Sequence, residues 1–90
     1  MTLKNQMRPV HPGEILRDEL DEIGLSSKQL ASELGIAKNI VDLILAGKQD
    51  LNGGSALCLA RYFGTTPQVW LNLQKTWELR TAEFAGDSKN

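Results

Sequence analysis

His11, Glu14, Asp18 and Glu22 have the types, and approach the spacing, of a metal or acid–base cluster on one helical face. A metal site built from them lacks support. The histidine falls at a helix-capping position, and neither a second histidine nor a cysteine cluster completes a ligand set. Cys58, the single cysteine, would act as a nucleophile only beside a histidine, and His11 is the one histidine in the chain. It reads instead as a small, partly buried apolar residue. No two catalytic side chains have supporting spacing, so the reading is of a non-enzyme without cofactor or metal.

What remains is binding chemistry. The 90 residues carry a formal net charge of -1, so any polyanion site must be a local patch rather than a property of the whole surface. The acidic run "DELDE", Asp18 to Glu22, reads as a solvated face that can also meet a basic partner. The segment "SSKQLASELGIAKNIVDLILAGK", residues 26 to 48, is punctuated like a DNA-reading helix pair. It has a capping serine, a short apolar-periodic run, Gly35, a second run and Gly47.

The elements that position this segment follow from spacing and caps. An apolar fraction of 41% and a charged fraction of 23% suit one globular domain with a single core. Apolar residues recur at helical spacing almost throughout, which predicts an all-α chain. Residues 1–8 read as a flexible arm carrying Lys4 and Arg8. A first helix starts at "HPGEIL", with Pro12 at N1 and Glu14 able to reach back to the His11 backbone, and ends at Gly24. Its stripe is Ile15, Leu16, Glu19, Leu20 and Ile23.

Ser26 with Gln29 forms a capping-box pattern, so a second helix runs from Ser27 to Leu34. A third runs from Lys38 to Ala46, and Leu51 in the following turn points into the core. Leu30, Ala31, Leu34, Ile36, Val41 and Ile44 pack the pair together. "SALCLARYF" makes a fourth helix, burying Ala56, Leu59, Ala60 and Phe63. Thr66 caps a fifth, with Pro67 at N1, that runs to Phe84 before a flexible tail at 85–90. Its stripe of Trp70, Leu73, Trp77 and Phe84, widened by Val69, Leu71 and Leu79, exceeds what one small protomer can cover and reads as a dimer interface.

With "HPGEIL", "QLASELGI", "LAGK", "ALCLARYFGTTPQVWLNLQ" and "WELR" in this order, the chain resembles the HigA-type addiction-module antitoxins. These are also known as virulence-associated protein I-like proteins, within the wider Xre/Cro-like helix-turn-helix family. The resemblance spans roughly Arg8 to Ala82. It implies a five-helix, lambda-repressor-like bundle over residues 1–90, with a helix-turn-helix and a long C-terminal dimerisation helix. It further implies a cytoplasmic, dimeric repressor that binds its own double-stranded operator DNA and neutralises a RelE-like, mRNA-cleaving toxin. No membrane partner is implied.

Carried over position by position, the family's DNA surface falls on Ser27, Lys28, Gln29, Ala37, Lys38, Asn39, Ile40, Asp42, Leu43 and Lys48. The three lysines suit phosphates, whereas Gln29 and Asn39 suit base edges, adenine best of all. Three departures weaken this surface. Ala37 stands where a hydroxyl usually caps and touches phosphate. Asp42 repels phosphate unless it accepts from a cytosine amino group, and Ile40 and Leu43 can meet only thymine methyls. Modest affinity with a shallow salt dependence is expected. Two alternatives stay open: a protein-interaction module with weak or lost DNA binding, and a solitary regulator without a toxin. Ile40, Leu43 and Leu45 are either core filling or a protein-contact surface.

Overall fold

Helix starts in this chain are set by side chains that take up free backbone N–H groups, the open donors of any helix N-terminus. His11, Ser26 and Asn52 each cap in this way, and Thr66 Oγ1 lies 3.3 Å from the Val69 amide. The computed structural model describes the backbone of residues 9–89 and the side chains of residues 9–85. The arm at 1–8, with Lys4 and Arg8, and Asn90 lie outside the described residues. Within them stand five helices and no strand: α1 (Pro12–Ile23), α2 (Ser27–Leu34), α3 (Lys38–Leu45), α4 (Gly53–Phe63) and α5 (Pro67–Lys89).

One core joins all five. Leu16 and Leu20 of α1 meet Leu30 and Ala31 of α2, Val41 and Ile44 of α3, Leu59 of α4 and Trp70 of α5. Each large apolar side chain buried this way contributes about 1.5–3 kcal/mol. Helix α4 packs on α5, α2 on α3 and α4, and α1 on α3 and α5. Leu51 is buried as expected, and its amide donates to Gln74 Oε1 at 2.9 Å. The start of α1 presses on the end of α3. A Cβ at Gly13 would overlap the carbonyl oxygen of Ile44, so only glycine admits this approach.

His11 is buried at the same junction. Its Nδ1 accepts from the Gly13 amide at 2.9 Å, so the neutral ring carries its proton on Nε2. Nε2 faces Asp50 Oδ1 at 3.5 Å, too long for a good hydrogen bond. The ring meets Trp77 edge-on, with centroids 4.9 Å apart. The imidazole is thus a cap and a packing element.

Four sequence expectations need correction. Helix α4 begins at Gly53 rather than Ser55, because Asn52 and Ser55 form a reciprocal capping box across the two glycines. Helix α5 continues from Phe84 to Lys89, since nothing in "AGDSK" removes a backbone donor as proline would. Trp70 is not available to a dimer partner. It is only 4% exposed within one protomer, tilts against Phe63, and donates from Nε1 to Thr65 Oγ1 at 2.9 Å. Ile23, assigned to the buried stripe of α1, is 51% exposed.

Candidate nucleic-acid interface

Gly35 reverses the chain between α2 and α3 with a left-handed φ of 72°, and the amides of Gly35 and Ile36 both donate to Ala31 O. Leu30 and Ala31 on one helix, and Val41, Ile44 and Leu45 on the other, are buried. That fixes which face of α3 is turned outward. Lys38, Asn39 and Leu43 stand exposed on it, with Ile40 half-buried beside them. Leu45 is core filling, which removes it from any contact surface. Ala37 is the N-cap of α3, in extended conformation and with no side-chain hydrogen bond, as its methyl group dictates.

The cations and amides are not all equally free. Lys28 and Lys48 are exposed, flanking the pair at the start of α2 and just after α3. Lys38 Nζ is held by Asp42 Oδ2 at 2.7 Å, one helical turn away. Gln29 is exposed, but its Oε1 accepts from the Ser26 amide at 2.9 Å. While it caps α2, Gln29 has only its NH2 group left to donate to an outside partner.

Asp42 is the site's electrostatic centre. The Lys38 hydrogen bond, and after it a hydrogen bond with Ser27, hold its carboxyl below the ordinary aspartate range, with Lys38 and Arg17 adding Coulombic attraction. Ser27 is half-buried at this junction and lines the same concavity as Asp42. The carboxylate is therefore partly neutralised by Lys38, with Arg17 and Asp21 on the same concavity.

Arg17 is the residue that sequence reading missed. It directly precedes the acidic run Asp18 to Glu22. In the fold it lines a concavity of about 260 Å³ together with Asp21, Ser26, Ser27 and Asp42. Its place one step along from buried Leu16 was legible; which helix abuts that flank was not. Among the described residues, no group of three or more His, Cys, Asp or Glu side chains is placed to hold a metal ion. Nor is any helix among them long and apolar enough to cross a membrane.

An all-α bundle with a glycine-turned helix pair and an exposed second helix defines the helix-turn-helix class. The chain matches no protein-family model. It is similar to virulence-associated protein I of Dichelobacter nodosus, 42% identical over 88 residues that span 97% of this chain and 82% of that protein. An addiction-module antidote protein of a HigA family from Coxiella burnetii is 44% identical, with a TM-score of 0.87 over 91% of this chain and 90% of that one. The Pseudomonas aeruginosa antitoxin HigA, solved with the higBA promoter, is 41% identical, with a TM-score of 0.85 over 91% and 90% of the two chains. The chain belongs to the HigA family of helix-turn-helix antitoxins.

Proposed function

We propose that this protein is a DNA-binding repressor and the antitoxin of a toxin–antitoxin module, acting in the cytoplasm on its own operator. The observation that carries this reading is the outward face of α3. It sits on a frame shared with a HigA antitoxin solved with its promoter. Lys28, Lys38 and Lys48 neutralise phosphates, which sets register and orientation. Asn39 reads adenine in the major groove, Gln29 donates a single hydrogen bond, and Ile40 and Leu43 lie against thymine methyls. Occupancy of the operator blocks transcription; no reaction is assigned.

The protein acts as a homodimer, so that two copies of α3 enter successive major grooves about 34 Å apart. With Trp70 withdrawn into the core, the dimer contact falls to Leu73, Trp77 and Phe84, with Val69 exposed beside them. The toxin partner is a RelE-like ribonuclease that cleaves mRNA, as the family resemblance implies. A positively charged enzyme of that kind suits the acidic face of α1.

The test is a mobility-shift titration of the protein against its own upstream DNA and an unrelated duplex, at two salt concentrations, beside Lys38→Ala. Specific, salt-sensitive retardation weakened by the substitution is expected. Equal affinity for both duplexes at low salt overturns the repressor reading and leaves a protein-interaction module. The uncapped Ala37 and the Lys38–Asp42 pair are what favour that second reading. Sedimentation at micromolar concentration checks the dimer.

A further inference from the structure

The cations anticipated for DNA all lie on or beside the helix pair, yet a fourth reaches the same surface from outside it. Arg17 belongs to α1 and is exposed. It lines the concavity that Ser26 and Ser27 at the start of α2 share with Asp42 of α3. The start of α2 is where a helix-turn-helix protein lies along the phosphate backbone. Arginine is the side chain best matched to a phosphate, because its planar fork can donate two parallel hydrogen bonds.

Asp42 lies near both cations. It bonds Lys38 Nζ at 2.7 Å and lies in the Arg17 concavity. Arg17 and Lys38 at +1 each are matched by Asp42 and Asp21 at −1 each, so the junction is locally neutral rather than acidic. An unscreened pair of cations here would repel one another and splay apart. A carboxylate bonded to Lys38 and sharing a concavity with Arg17 attracts both toward the α2–α3 junction. Asp21, one turn along α1 from Arg17, is the other acid lining the concavity and competes for the same guanidinium.

We propose that Arg17 is a DNA-backbone contact supplied by α1, and that Asp42 is the positioning residue that sets Arg17 and Lys38 side by side to receive it. This deepens the repressor reading and rests on it. A backbone contact carries no base information, so Arg17 adds affinity to every sequence equally. Asp42, which as a bare sequence position works against DNA binding, here works for it.

The experiment is fluorescence anisotropy of the upstream duplex and a scrambled duplex over a salt series. The proteins are the wild type, Arg17→Gln, Arg17→Lys, Asp42→Asn and the double variant Arg17→Gln/Asp42→Asn, with thermal melts confirming that each is folded. Arg17→Gln is expected to weaken binding to both duplexes by the same several-fold factor. It should also lower the magnitude of the slope of log K against log salt by ~0.9 per protomer. Arg17→Lys restores the slope but not the full affinity. In the Asp42→Asn background, the Arg17→Gln loss shrinks, the signature of one residue acting through the other.

An unchanged salt slope in Arg17→Gln overturns the backbone contact. Strictly additive losses, or tighter binding by Asp42→Asn with the Arg17 loss intact, overturn the positioning role. A wild type that treats the two duplexes alike overturns the repressor reading instead. The scrambled duplex still reads Arg17 in that case, so the two failures are distinct.

Discussion

Leu51 and Gln74 are joined by a buried hydrogen bond, the backbone amide of the first donating to Oε1 of the second at 2.9 Å. The bond ties the turn that follows α3 to the helix proposed to carry the dimer contact. A buried amide left without an acceptor costs about 1–3 kcal/mol. Gln74→Leu, similar in size but without an acceptor, should therefore destabilise the protein by that amount, read as a lower urea midpoint at unchanged m-value. Gln74→Glu keeps an acceptor oxygen but sets a buried carboxylate against Glu78, which Gln74 Nε2 now bonds at 3.2 Å, so it too should destabilise.

Gly13 makes the contact between α1 and α3 possible. A methyl group there meets the Ile44 carbonyl, a backbone atom that cannot rotate away. Gly13→Ala should be destabilising by ~3 kcal/mol or more, the upper end of overpacking effects. Gly53→Ala, where added bulk meets nothing within 4 Å, is the control. A melting temperature for Gly13→Ala within a degree of the control would show that the two helices separate freely.

Asp42 should titrate below an ordinary aspartate, chiefly because Lys38 hydrogen-bonds its charged form. The sign follows from the depressed folded-state value. The Lys38–Asp42 contribution is fully present above the unfolded-state pKa and is lost as pH falls through the lower folded-state one. Carbon-detected NMR of the Asp42 carboxyl should show this depressed midpoint, and Lys38→Ala should move it up. Because the pair is exposed, a large loss of stability is not expected to accompany the titration.

Ala37 is in extended conformation at φ −66°, ψ 141°, the backbone geometry a capping side chain needs, and makes no side-chain cap. Ala37→Ser should supply the missing bond, adding about 1 kcal/mol. In a domain of this size that corresponds to a melting temperature roughly 4–8 °C higher. The hydroxyl also adds a phosphate donor, so operator affinity should rise in the same variant. Calorimetry and the salt-series anisotropy read the two effects separately.

Helix ends were the most legible part of this fold. Ser26, Gln29, Gly35 and Pro67 act through the backbone beside them, and such local chemistry is written in adjacent letters. Asn52 escaped notice because two glycines after it resemble a turn, although its partner Ser55 sits at the capping-box spacing. The period of α5 correctly placed Trp70, Leu73 and Trp77 on one stripe. Period alone does not say which end of a stripe the core will cover, and the core took Trp70. Arg17 and Asp42 were harder still, since their relation depends on how α1 crosses α3. That crossing is set by Gly13, far from either in character and legible only once the Ile44 carbonyl is in place.

The packing order of the helices has a temporal consequence. Helix α2 lies on α3, α3 on α1, and α4 on α5, so most partners are neighbours or near neighbours along the chain. Among these contacts, the meeting of α1 with α5 closes the longest loop. Helical bundles of such low contact order fold within microseconds to milliseconds. Synthesis of 90 residues takes roughly 5–20 s at ribosomal speed. The supply of folded protomer therefore tracks translation with no folding delay, and any lag before the proposed dimer occupies an operator would reflect the wait for a second chain.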